Sequence, residues 1–197
     1  ADGYVKVLQA EPGSEQALVG LELIRSGMEL WESTGTRAGR GQWIVHVAAA
    51  CLHAGQIEAG LEIVNTALTG DFSQWIGAGL ARIHRLHGEL SLMQKIPDRD
   101  KAKDSFIKAL EIAREQGAHS LKLKAAISLA KLWQTERPTE AQQLLEETCA
   151  WFTEGHETPD WQEAQALLRN IAAESPIVTR KLSSNKRGDQ PNNVLHN

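Results

Sequence analysis

Few residues in this sequence could carry chemistry, and two histidines three positions apart come first. His84 and His87 fall on one face of a predicted helix, with Glu89 nearby. That spacing can place two imidazoles on one metal ion. The stretch is not H-E-x-x-H and offers no evident third ligand, so we interpret both histidines as surface or interface residues. We interpret His46 and His53, on a mostly apolar predicted helix, as groove or packing residues.

Motifs for nucleophilic or phosphate chemistry are missing from the sequence. It contains no G-x-S-x-G and no G-x-x-x-x-G-K-[ST], and the glycine-rich stretch 35–41 lacks the Lys-Ser/Thr that a phosphate loop needs. Cys51 and Cys149 lie on apolar helical faces, where we expect small core residues of a reduced, cytoplasmic protein. The sequence therefore predicts no enzymatic activity, no cofactor and no metal.

Charge argues against nucleic acid as a partner, and hydropathy argues against a membrane. The formal net charge is −4, and without the basic C-terminal tail it is about −7, which disfavours nucleic acid as the main partner. No segment has the ~20 apolar residues that cross a bilayer, so we expect no membrane partner. The tail, residues 175–197, is polar, basic and without period, and we expect it to be disordered. Its charged residues are Arg180, Lys181, Lys186, Arg187 and Asp189.

The clearest predicted element is a helix over residues 100–117. One apolar stripe at helical spacing is formed by Ala102, Phe106, Ala109, Leu110 and Ala113. Asp98 or Asp100 can cap its start, and Gly117 suits its end. Similar patterns predict helices at 14–34, 42–54, 57–68, 74–93, 119–133, 137–152 and 161–173. The short apolar piece within residues 1–12 is left open between helix and strand.

A small residue recurs in the second helix of successive predicted pairs. Gly20, Gly60, Ala102 and Ala141 occupy equivalent positions, which gives a period of about 40 residues. A small residue at this position lets one helix approach its partner closely. Stacked helix pairs of this length make an α-solenoid. We therefore predict an all-α superhelix of antiparallel helix pairs with a C-terminal capping helix.

These residues resemble the tetratricopeptide repeat (TPR) family. In that family the second helix carries Ala, a large residue four positions on, and then Ala-Leu. The matching residues here are Ala102, Phe106, Ala109 and Leu110, with Gly55 between helices and Gly88 as the small residue inside a first helix. The period is longer than the usual TPR, and glycine replaces alanine in two of the repeats.

Residues 13–174 also resemble a larger arrangement. They look like the C-terminal helical-repeat region of bacterial adenylate/guanylate cyclase-type proteins, in which a cyclase domain and an AAA/STAND-type ATPase precede TPR-like repeats. The most specific part is 151–168, which resembles the last repeat and its capping helix. The resemblance implies a terminal module that contains neither the cyclase residues nor an ATP site.

The predicted architecture has a concave groove lined by the first helix of each pair, and this groove is the candidate binding surface. A basic stripe there could receive an acidic peptide or a carboxylate end, and the alternative is an ordinary solvated face. By register, the outward positions are Gln42, Val45, Ala49 and His53, then Arg82, Arg85, Glu89 and Leu92, then Lys124, Lys131 and Gln134. The stripe itself consists of Arg82, Arg85, Lys124 and Lys131.

We therefore divide the chain into an N-terminal extension (1–13), a TPR-like domain (14–174) and the tail (175–197). The expected function is a non-catalytic module that binds a protein, a peptide or upstream domains of its own chain. The alternative is a small-molecule-sensing domain of a transcriptional regulator. The 14–34 helix has no good first helix before it, so we expect a missing upstream repeat and an apolar end able to pair with a second copy.

Overall fold

The computed structural model describes residues 2–35, 40–69 and 77–174, and these ranges fold into helices without a strand. The predicted all-α class is therefore confirmed for them. The helices are α1 (Asp2–Gln9), α2 (Glu15–Ser33), α3 (Arg40–His53), α4 (Ile57–Thr69), α5 (Leu80–Leu92), α6 (Arg99–Glu115), α7 (His119–Trp133), α8 (Pro138–Cys149) and α9 (Pro159–Glu174). A short 3-10 turn, Gly77–Gly79, leads into α5.

Local chemistry fixes several of the helix boundaries. The Ser14 side chain accepts a hydrogen bond from the backbone N–H of Ala17 at the start of α2. Of the two caps considered for α6, Asp98 is the one in place, because its Oδ1 accepts from the Lys101 N–H at 3.0 Å. Gly117 follows α6 with a positive φ of 63°, a backbone conformation that glycine adopts without strain. The predicted turn at 70–73, the segment 74–76 and the tail 175–197 lie outside the described residues.

The helices pack as a contiguous array of pairs. The first helices α1, α3, α5, α7 and α9 contact one another in chain order. Each second helix packs against the first helix of its own pair and the first helix of the next pair. Every first helix therefore lies in one row, and side chains from consecutive pairs meet along that row.

Small residues lie where these helices approach most closely, as the period of about 40 residues predicts. A Cβ on Gly20 would lie 2.7 Å from Cγ2 of Val7, and one on Gly60 would lie 2.8 Å from Cδ2 of Leu90. Ala102 and Ala141 are fully buried. A larger residue at Gly20 or Gly60 would have to displace the side chain of Val7 or Leu90 from its packed position.

The N-terminal residues left open by the sequence form a helix that packs on α2. Val7 on α1 is buried, and the backbone of Gly3 lies against Gly20 and Ile24. The apolar stripe on α2 that we expected to lack a partner is covered by α1 and α3 together. That expectation is wrong because α1, although only eight residues long, fills the place of a first helix. An upstream repeat stays a prediction.

Candidate interaction surfaces

The predicted basic stripe runs along the row of first helices, and carboxylates of the array pair with most of it. On α5, the Arg85 guanidinium donates to the Glu89 carboxylate one turn away. From α7, the Ser128 hydroxyl donates to the same Glu89 oxygen at 3.0 Å. Glu89 therefore joins two neighbouring pairs through one half-buried carboxylate.

The two lysines of the stripe are paired with the capping helix. Lys124 Nζ lies 3.0 Å from Asp160 Oδ2, and Lys131 Nζ donates to Glu163. Both acids come from α9 and point back to α7, since they lie one turn apart on the same face. The stripe consequently carries much less free positive charge than its sequence suggests, and binding of an acidic peptide there stays a prediction.

Arg82 differs from the other three cations. Within the described ranges, it makes no ion pair with a carboxylate. Its charge acts on His46 of the neighbouring α3, where burial and then the Arg82 guanidinium lower the pKa of the imidazole. Arg82 is therefore the cation of the stripe best placed to meet an external carboxylate.

Two of the α3 positions assigned to the groove, Val45 and His53, make contacts inside the array. Val45 is only 2% exposed and belongs to the core, so its assignment to the surface is wrong. The Nε2 of His53 lies 2.8 Å from the carbonyl oxygen of Ala10, which ties the end of α3 to the α1–α2 connection. The Gln42 side chain lies outside the described residues. These positions were assigned by helical register alone, which cannot distinguish a groove from the contact with a neighbouring helix.

Of the two histidines considered for a metal ion, His87 contacts a hydroxyl of the neighbouring helix. His87 Nδ1 lies 2.8 Å from the Ser105 hydroxyl on α6. Burial lowers the pKa of both imidazoles, and for His84 the neighbouring His87 and Lys108 lower it further. In the described part of the chain, no group of three His, Cys, Asp or Glu side chains could hold a metal ion.

Exposed apolar side chains concentrate at the N-terminal end of the array. Of the nine large hydrophobic side chains exposed among the described residues, six belong to α1 and α2. Val19, Leu23 and Leu30 recur at helical spacing and form a second stripe on α2, away from the buried one. Val5 and Leu8 lie one turn apart on α1. We call the five residues Val5, Leu8, Val19, Leu23 and Leu30 the α1–α2 face; Leu30 is 72% exposed and Leu8 is 54% exposed.

An open groove lies between α1 and α2, and Val19 is the member of the α1–α2 face that lines it. It has a volume of about 400 Å³ and is lined by Lys6, Gln9 and Ala10 from the α1 side and Glu15, Gln16 and Val19 from α2. Glu15, Glu22 and Glu29 follow one another at seven-residue spacing along one edge of the stripe, and all three are exposed. The α1–α2 face is thus apolar in its middle and acidic at its border.

Sequence reasoning placed an exposed apolar end on the right helix but chose the wrong stripe. Both stripes of α2 are apolar and both have helical period, and only the packing of α1 and α3 decides which one is buried. The acids that neutralise the basic stripe were missed as well. Extending the first-helix register to α9 would have brought Asp160 and Glu163 opposite the lysines of α7.

Comparisons with known proteins provide no match from which a function can be inferred. No family model, no curated protein and no solved structure matches this chain. Among the described residues, no helix combines the length and the hydrophobicity that a membrane crossing needs. Function is therefore inferred from the two surfaces above, the paired stripe and the α1–α2 face.

Proposed function

We propose that this chain is a non-catalytic helical-repeat module that binds another polypeptide through its α1–α2 face. The observation that carries the proposal is the concentration of exposed apolar side chains on these two helices. Val19, Leu23 and Leu30 recur at helical spacing and form one exposed apolar stripe on α2, and such clustered apolar side chains on a folded protein mark an interaction site more often than scattered ones do. The rest of the array then serves to hold this face rigid.

The form of the face favours a helical or extended segment as its ligand. Leu23 and Leu30 are two turns apart, so their side chains offer anchor points along about 10 Å of helix. A ligand helix that presents apolar residues at i, i+3, i+4 and i+7 can lie along such a stripe. The groove beside Val19 gives room for one further side chain.

The TPR-like assignment and the signalling context belong to this proposal. The order of contacts along the array supports it, because each second helix sits between two first helices. The packing of Phe106 over Gly88 supports it too, since both residues belong to the set that matches the TPR family. In this account the chain is the C-terminal part of a larger bacterial signalling protein and relays or holds a partner without doing chemistry itself.

The proposed function can be tested by measuring the apparent size at which the protein elutes in extracts of the cells that produce it. We expect the wild-type chain to elute in a complex larger than a monomer. Leu23→Asp should shift it toward the monomer, because a carboxylate in the middle of the stripe cannot be buried against an apolar ligand. Ile96→Asp is the matched control, since Ile96 is 86% exposed between α5 and α6. Identical elution of all three proteins would contradict the proposal.

A further inference from the structure

The sequence of the chain contains a segment whose chemistry complements the α1–α2 face. Residues 176–187 read PIVTRKLSSNKR. This segment has three large aliphatic residues, four cations and no acid. The aliphatic residues are Ile177, Val178 and Leu182, and the cations are Arg180, Lys181, Lys186 and Arg187.

We propose that residues 176–187 of one copy bind the α1–α2 face of a second copy and so join copies head to tail. The inference rests on the proposed function and names the occupant of its surface. Leu182 and the Ile177–Val178 pair would lie on the apolar stripe. The cations would lie against the glutamates at its edge.

Charge complementarity selects this occupant over a second α1–α2 face. Residues 2–35 contain six acidic and two basic residues, a formal net charge of −4. Two such faces pressed together would bring Glu15, Glu22 and Glu29 of both copies close, and like charges across an interface are strongly unfavourable. A basic, aliphatic segment can place its aliphatic side chains on the apolar stripe and its cations against the glutamates that border it.

The short reach of the tail favours binding to a second copy over binding within one copy. The tail leaves the array after α9, four helices along the row from α1. At 8–10 Å between packed helices, that row is roughly 35 Å long. Seven residues lie between Glu174 and Leu182, and the eight steps from Glu174 to Leu182 span about 28 Å at most when fully extended. The aliphatic residues therefore cannot lie on the face of their own copy.

A head-to-tail contact has a distinctive outcome in solution. Each copy of this 197-residue chain presents one tail and one α1–α2 face, so association of this chain does not stop at a dimer. Because the contact pairs cations with glutamates, salt weakens it. A symmetric dimer would stop at two copies and would not need the tail.

Sedimentation velocity of the purified full chain over a wide concentration range tests the proposal. We expect oligomers that grow with concentration and dissociate with salt. Leu23→Asp, which damages the face, and Leu182→Asp, which damages the tail, should each be monomeric. An equal mixture of the two variants should form a dimer and nothing larger, because one intact face and one intact tail remain. Ile96→Asp should behave as wild type.

A labelled peptide of residues 175–197 gives an independent measurement. It should bind the Leu182→Asp chain, and Leu23→Asp should weaken binding by roughly tenfold or more, as expected for losing one buried leucine. Circular dichroism confirms that each variant is folded. A wild-type chain that stays monomeric, a mixture that stays monomeric, or association unaffected by Leu182→Asp would overturn the proposal.

The experiments distinguish failure of the tail contact from failure of the proposed function. If the purified chain is monomeric while the complex in cell extracts still depends on Leu23, the tail is not the ligand but the α1–α2 face remains an interaction site. If Leu23→Asp changes neither the purified protein nor the complex in extracts, the proposed function fails as well.

Discussion

The ring of Phe106 occupies the space in which a side chain at position 88 would lie. A Cβ built on Gly88 falls 2.4 Å from Cε1 of Phe106, far inside van der Waals contact. Phe106 is itself almost fully buried between helices. This contact of α5 with α6 requires glycine in the middle of a helix, where glycine is otherwise unfavourable.

Gly88→Ala should therefore destabilise the fold. Overpacking a core costs about 1–3 kcal/mol, and the better helix propensity of alanine returns at most about 1 kcal/mol. We expect a net loss of up to about 2 kcal/mol in the free energy of unfolding, measured with urea. Gly27→Ala is the matched control, because nothing lies within 4 Å of its added Cβ. That change should stabilise α2 by about 0.5–1 kcal/mol.

A smaller residue at position 106 should relieve the strain. Gly88→Ala should cost less in the Phe106→Leu background than in wild type. Equal cost in both backgrounds, or stabilisation by Gly88→Ala alone, would show that Phe106 does not fill the space over Gly88.

Stability should fall as the pH falls from about 7.5 to about 5.5. Burial lowers the pKa of His46, His84 and His87 in the folded state. Below the ordinary histidine pKa near 6.5, the unfolded chain binds protons that the folded chain does not, so acidification favours unfolding.

Urea unfolding at both pH values measures this effect, and a His84→Gln/His87→Gln double variant is the comparison. The variant should lose less stability on acidification than wild type, because two of the groups are gone. A wild-type protein that is more stable at the lower pH would contradict the assignment of burial as the cause.

Charge exchange across α7 and α9 should reveal the pairing of Lys131 with Glu163. Both side chains are about half exposed, so their ion pair contributes less than about 1 kcal/mol. Lys131→Glu should lower the free energy of unfolding by roughly this amount, and Lys131→Glu/Glu163→Lys should restore most of it. If the double variant is no more stable than the single one, the pair does not hold the capping helix.

The reaction rates of the two cysteine thiols should measure the packing at opposite ends of the array. Cys51 lies in the cluster of α1, α2 and α3, Cys149 lies near α9, and both are free. Burial raises the pKa of both thiols, so both should react with a thiol reagent much more slowly than in urea. Cys149, slightly less buried, should react first, and mass spectrometry of the labelled peptides follows each site. Rapid labelling of Cys51 in the folded protein would contradict the packing of α1 on α2.

The long helices could be predicted because their apolar residues repeat with helical period and their ends carry capping residues. Helix α1 could not, since eight residues give too short a pattern and Pro12 and Gly13 follow closely. Its helical state depends on tertiary contact, with Val7 packed over Gly20. Short elements of this kind gain their stability from packing and not from propensity.

The surfaces were less predictable than the helices. Register placed Arg85, Lys124 and Lys131 on one side of the row, but their acidic partners depend on how neighbouring helices stack. Asp160 lies 36 residues after Lys124, and only the packing of α9 on α7 brings the two together. Helical period likewise cannot decide which of two apolar stripes on α2 is buried.

Photo-crosslinking from position 23 tests the central claim, that another polypeptide occupies the α1–α2 face. A photoreactive amino acid replaces Leu23 in the full chain, and Ile96 is replaced in the control protein. We predict discrete adducts with a polypeptide from position 23 and none from position 96, with mass spectrometry identifying whether the adduct is a second copy. Equal crosslinking from both positions, or none from position 23, would contradict the claim.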